Sequence, residues 1–190
     1  MKGECILDKF YEDKVISEKL LKERILFIDK EINANTASAI VAKLLYLDSE
    51  NHEDIIIYIN SPGGEISSGF MIYDTIQFIK SDVQTVSLGT SASMAAILLL
   101  SGTKGKRKIL PNSNVMLHDL SGDATGKFSD IMIEVKEMQK IHQKIFDIIK
   151  ENTALTEEQI NENLKNDFWL DSKEALKYGI VDQIISTKNS

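Results

Sequence analysis

The chain has 190 residues, 43% of them hydrophobic, which suits one compact domain with a sizeable core. With 22 basic and 29 acidic residues its formal net charge is −7, and that balance argues against non-specific binding to nucleic acid. Cys5 is the only cysteine, so an internal disulfide and a cysteine-based metal cluster are excluded, and a reducing compartment fits.

Residues 1–19 carry no clean periodicity and read as an arm, without the apolar stretch of a secretion signal. From Leu20 the chain alternates strand-like and helix-like pieces. Residues 24–29 read as a strand, and residues 35–47 space Ile40, Val41, Leu44, Leu45 and Leu47 as a helix does. Residues 55–59 are an apolar run of strand length, broken by Ser61-Pro62-Gly63-Gly64. A helix over 67–80 and a strand over 83–88 follow, and a second apolar helix opens at Ser93. Its run Met94–Leu100 is far short of the ~20 residues that a membrane span needs. Residues 106–110 and 115–118 are expected strands, and residues 122–126 a flexible connection. Phe128–Asn152 is the longest predicted helix. Thr156-Glu157-Glu158-Gln159 has the spacing of a capping box. Residues 172–178 read as a helix stopped by Gly179, and residues 180–185 as a closing strand. This alternation argues for a single α/β domain with largely parallel strands, and the expected location is cytoplasmic.

Ser93 lies where a strand-like run turns through Gly89-Thr90-Ser91-Ala92 into an apolar helix. A serine there stands clear of its backbone, beside the positive end of a helix dipole, where negative charge would develop in acyl transfer. A serine at a helix start is more often an N-cap, and the physics of the sequence leaves Ser91 and Ser93 both open as nucleophile. Downstream, His118 closes an apolar strand and Asp167 precedes Phe168-Trp169, which supplies a base and an orienting carboxylate. His52, in a polar connection, and His142, within the long helix, are expected to be solvated or structural. The glycines after Ser61 let backbone N–H groups approach a ligand, so that turn can supply one oxyanion donor and the Met94 amide the other. No Gly-x-Ser-x-Gly elbow is present, and residues 102–106 lack the spacing of a phosphate-binding loop.

Several blocks stand in one order: Leu-Leu-Lys-Glu-Arg at 20–24, Tyr-Ile-Asn-Ser-Pro-Gly-Gly at 58–64, Ile-Tyr-Asp-Thr-Ile-Gln-Phe-Ile-Lys at 72–80, Ala-Ser-Met at 92–94, Gly-Lys-Arg at 105–107 and Leu-Pro-Asn-Ser at 110–113. In these the chain resembles, over roughly residues 20–186, the ClpP family of Clp protease proteolytic subunits. The resemblance implies a crotonase-like α/β domain over 20–190, built from repeated β-β-α units, with a strand-and-helix handle at about 119–152 and an axial arm at 1–19. It implies a serine endopeptidase with Ser93 as nucleophile, His118 as base and Asp167 as acid. The oxyanion hole falls on the backbone N–H groups of Gly64 and Met94. No metal or cofactor is implied. The implied partners are further subunits in two stacked seven-membered rings and an ATP-dependent AAA+ unfoldase that feeds in unfolded polypeptides. That unfoldase would dock at pockets containing Tyr58 and Phe78.

The chain departs from the family's pattern at four places. Asp119-Leu120-Ser121 follows the histidine where Gln-Pro and an apolar residue are usual. Asn166 replaces an arginine that ties the rings together in many members, and Lys108 replaces an apolar residue of the docking pocket. The arm does not resemble the usual axial loop. A divergent paralogue, more active beside a second such subunit, is therefore expected. Two rivals are weaker. A scaffold subunit would lack triad members, and all three are present. An acyl-CoA hydratase or hydrolase of the crotonase type would need a pair of acids beside the glycine turn.

Overall fold

The computed structural model describes residues 14–122 and 125–185. Its elements run α1 (Lys14–Lys22), β1 (Ile25–Ile28), α2 (Ala34–Glu50), β2 (Ile55–Ser61), α3 (Ile66–Phe78), β3 (Val83–Ala92) and α4 (Met94–Leu100). They continue with β4 (Arg107–Ile109), β5 (Asn114–Leu117), α5 (Phe128–Asn152), α6 (Glu157–Asn163), β6 (Phe168–Leu170), α7 (Ser172–Lys177) and β7 (Gln183–Ile184). Strands β1, β2, β3, β4 and β7 lie side by side and parallel. In β2 burial alternates: Ile55, Ile57, Ile59 and Ser61 on one face are buried in the core, whereas Ile56 and Tyr58 on the other are half-buried and Asn60 is exposed.

Most strand-to-helix steps hold a second, shorter strand segment. After β1, Ile32 bridges in parallel to Gly64. Past a register shift in β2, Ser61 pairs with Ser91. The first half of β3 pairs with β4, and its end, Thr90–Ala92, pairs with β5. The chain therefore repeats a β-β-α unit four times: β1, Ile32 and α2; β2, Gly64 and α3; the two halves of β3 and α4; β4, β5 and α5. The second segments gather at one end of the sheet, and the site forms there.

Several expectations are revised. β3 runs to Ala92 instead of stopping at Leu88. Gly89, at φ +68°, bends the strand, and side chains hold the bend: Ser113 Oγ accepts the Gly89 N–H, and Asn60 Oδ1 accepts the Thr90 N–H. Periodicity carries no trace of such bonds. Residues 180–185 supply only the two-residue β7, because the Ile180 and Val181 amides close the end of α7 on the Ala175 carbonyl. Residues 1–13 of the expected arm lie outside the described residues, and its last part is helical in α1. Among the described residues of 118–127 there is no strand, and α5 covers the helical part of the expected handle. In that helix Phe146 and Ile149 are buried, whereas Phe128, Met132 and Ile133 are exposed. The N-terminal half of α5 thus projects with its apolar stripe uncovered.

The capping box of α6 forms as the sequence predicts: Thr156 Oγ1 accepts the Gln159 N–H, and Gln159 Oε1 accepts the Thr156 N–H. All seven residues of α4 are buried, and the helix packs against β3, α3 and α5. An apolar helix of this length is a core element, and no helix among the described residues is long and apolar enough to cross a membrane.

Two buried arginines pin the periphery. Arg24 donates to the carbonyls of Leu47, Asn51, Glu53 and Asp54 and to Ser81 Oγ, tying the last turn of α2 and the connection after it to the start of β1. Arg107 makes a two-pronged pair with Asp182, at 3.0 and 2.6 Å, and donates to the Asn152 carbonyl at 2.6 Å. It thereby fastens β7 and the C-terminal end of α5 to β4. Burial works against the charge of Asp182, but the Arg107 side chain and amide and the Gly105 amide outweigh it, holding its pKa below the ordinary carboxylate value. A carboxylate so depressed contributes stability that is complete above its unfolded pKa near ~4 and lost as pH falls through the lower native value. Asp182→Asn leaves the Arg107 charge buried and unpaired. It is expected to lower the unfolding free energy by about 3 kcal/mol at neutral pH. Urea melts check this, and the gap to the wild type should close as the pH is taken down from about 5.

Candidate active site

Ser93 occupies the N-cap position of α4, yet its side chain makes no capping bond. Its backbone stands at φ +54°, ψ −125°, a region that non-glycine residues avoid at a cost of about 1–3 kcal/mol. Three hydrogen bonds hold it there: its N–H donates to the Met116 carbonyl at 2.8 Å, and its own carbonyl accepts from Ala96 and Ile97. The hydroxyl is thereby turned out of the helix, and Ser93 Oγ lies 2.8 Å from His118 Nε2. Ser91, left open as an alternative, is fully buried in β3 with its hydroxyl 2.8 Å from that of Ser87. It does not reach the histidine.

His118 and Asp167 meet because of strand register. β5 and β6 run antiparallel with Leu117 opposite Phe168, so the next residues along, His118 and Asp167, face each other just past the ladder. Phe168 packs edge-on against Tyr178 at 5.8 Å, which anchors β6 from behind. His118 Nδ1 stands 3.6 Å from Asp167 Oδ1, an ion-pair separation longer than a hydrogen bond. The Asp167 side chain is 62% exposed and that of His118 31%. The three predicted residues are therefore together, with the serine–histidine link tight and the histidine–aspartate link open.

The glycine turn abuts the serine turn. A side-chain carbon on Gly63 would stand 2.7 Å from the Ala92 carbonyl oxygen and 2.8 Å from Ser93 Cβ. Ile32 donates to the Gly63 carbonyl and accepts from the Glu65 amide. In such a parallel bridge the middle residue, Gly64, turns its own N–H to the other side. Gly64, Ser93, Met94, Leu117, His118 and Asp119 line one cleft of about 220 Å³. Ser61, which the sequence reading passed over, braces the turn. Its buried hydroxyl donates to the Lys30 carbonyl at 2.7 Å and accepts the Gly63 N–H at 3.1 Å. The only signal available in the sequence was a small polar residue between a buried strand and Pro62.

The remaining candidates lie elsewhere. Tyr58 is stacked on Phe27 at 5.3 Å, in a cross-sheet row that continues through Val86 to Lys108. Phe78 ends α3 and is 80% exposed. Neither is part of the cleft. Asn166 lies in the short connection between α6 and β6, next to Asp167. His142, expected to be solvated or structural, is partly exposed, with Nε2 3.3 Å from Asp119 Oδ1.

With this geometry in view, comparison with known proteins is informative. The family model described as Clp protease matches residues 10–188. A relative from Carsonella ruddii (strain PV), an ATP-dependent Clp protease proteolytic subunit, is 46% identical over 188 residues, covering 99% of this chain and 93% of its own length. A family match over nearly the whole chain, together with a relative 46% identical over 99% of it, shows that the chain belongs to the Clp protease family of serine peptidases.

Proposed function

We propose that this chain is the proteolytic subunit of an ATP-dependent Clp protease and cleaves peptide bonds of unfolded polypeptides through Ser93, His118 and Asp167. The observation that carries the reading is the 2.8 Å contact of Ser93 Oγ with His118 Nε2 at the cleft. In this mechanism Ser93 Oγ attacks the scissile carbonyl while His118 Nε2 takes its proton. The same nitrogen then returns the proton to the leaving amine, and a water repeats the sequence on the acyl-enzyme. Asp167 holds the imidazole so that Nε2 faces the serine. The N–H groups of Gly64 and Met94 receive the developing oxyanion. These groups complete the chemistry without a metal or cofactor.

Assembly belongs to the same proposal. The uncovered apolar stripe on α5, with Phe128, Met132 and Ile133 exposed, supports handle-to-handle contact between two seven-membered rings. The exposed Phe78 and the row containing Tyr58 support docking of an AAA+ unfoldase, in the cytoplasm. The open His118–Asp167 link and the exposure of Asp167 favour a second reading in part: a chain that is weak by itself and gains activity when assembly closes that contact. The departures at Asp119, Ser121, Asn166 and Lys108 support the related idea of a divergent paralogue working in mixed rings. If so, adding a second such subunit raises peptidase activity, and unchanged activity on mixing counts against it.

A fluorophosphonate probe is expected to label the wild-type chain and to leave Ser93→Ala unlabelled and inactive. Equal labelling of the two, or full activity of the variant, refutes the assignment. Ser61→Ala removes the brace under the glycine turn and strands the Lys30 carbonyl and the Gly63 amide. The expected result is a fall in kcat of about tenfold with little change in KM, because the lost alignment acts on the oxyanion and not on the bound peptide. Steady-state kinetics on one fluorogenic peptide checks it.

A further inference from the structure

We propose that Asp119 is a specificity-determining residue, biasing cleavage toward peptides with lysine or arginine next to the scissile bond; this rests on the proteolytic reading above. Asp119 directly follows His118 and lines the same cleft as Ser93. A peptide whose scissile carbonyl reaches Ser93 passes through this cleft, so its side chains next to that bond come close to Asp119. The carboxylate is fixed in place. The Asp119 amide donates to the Leu164 carbonyl at 3.0 Å, and Asp119 Oδ1 accepts the Leu120 N–H at 2.7 Å and stands 3.3 Å from His142 Nε2 on α5. It is also half exposed, hence available to a substrate.

The surrounding charges point the same way. The other ionisable groups lining this cleft are His118 and Glu65. The hydroxyls of Ser68 and Ser67 hold the Glu65 carboxyl below its usual pKa, so it stays ionised. Past Leu120 and Ser121 the groove continues along α5, where the charged lining residues are Glu134 and Glu137, the second offset by Lys140. Among the described residues no lysine or arginine lines either space. A cationic side chain entering beside apolar Leu120 and Ile66 meets carboxylates, and an acidic one meets only repulsion.

The test uses the assembled full chain and three fluorogenic peptides that differ only in bearing Lys, Ala or Glu at one position next to one apolar cleavage site. At about 50 mM salt the wild type is expected to favour the Lys over the Glu peptide by about tenfold in kcat/KM, and by about twofold at 500 mM salt. In Asp119→Asn the low-salt ratio is expected to drop to about twofold. Each ratio is taken on one preparation, so a partly unfolded variant does not distort it. An unchanged ratio in Asp119→Asn, or no preference in the wild type, overturns the proposal. If the Ala peptide is cleaved without any charge preference, the role of Asp119 alone falls. If no peptide is cleaved and the fluorophosphonate leaves Ser93 unlabelled, the proteolytic reading falls and takes this proposal with it.

Discussion

Two turns, one ending β2 and one ending β3, lie in van der Waals contact, and the rest of the site is arranged around that contact. Nothing larger than glycine fits at residue 63, because a side-chain carbon would strike the Ala92 carbonyl and Ser93 Cβ. Gly64 is equally confined, since a carbon there would collide with the backbone of Ile32. The serine turn itself is strained at φ +54°. What holds it is α4 behind it, where Met94, Ala95, Ala96, Ile97, Leu98, Leu99 and Leu100 are all buried. Each large apolar side chain in that helix contributes roughly 1.5–3 kcal/mol of burial, which outweighs the local strain. The apolar run that reads in the sequence as a short core helix is thus also the support that lets Ser93 depart from ordinary backbone geometry.

Most of this was legible in the amino-acid sequence, for identifiable reasons. Apolar runs bounded by glycine, proline or asparagine located β1, β2, β4 and β5, and helical spacing located α2, α3 and α5. Residue type and local setting singled out Ser93, His118 and Asp167, which the fold brings together. What stayed hidden depends on contacts between distant residues. Whether Ser91 or Ser93 faces the histidine is decided by a hydroxyl pair inside β3 and by the hydrogen bond from Ser93 to Met116. The extension of β3 past Gly89 is decided by Asn60 and Ser113, and the brevity of β7 by the closure of α7 on Ala175. The loose separation of His118 and Asp167 could not be read at all, because it is a matter of tenths of an ångström and not of residue type.

The departures from the family pattern fall into two groups in space. Asp119 and Ser121 are in the cleft wall, whereas Lys108 sits in the cross-sheet row with Tyr58, away from the nucleophile. Under the proposed function, substitutions of the first kind would bear on what is cut and those of the second kind on docking of the partner that delivers it. A peptidase confined to a chamber can accept most sequences, since access and not chemistry protects the surrounding proteins. In such an enzyme a charge beside the base refines the choice among segments already inside.

The pairing of Leu117 with Phe168 carries one more implication. Because side chains alternate across a strand, a residue inserted between Asp167 and Phe168 would swing the carboxyl group to the opposite face of the ribbon. Asp167 is therefore tied to the ladder by its immediate succession to Phe168, whereas the connection ahead of it, Asn166 included, escapes that constraint.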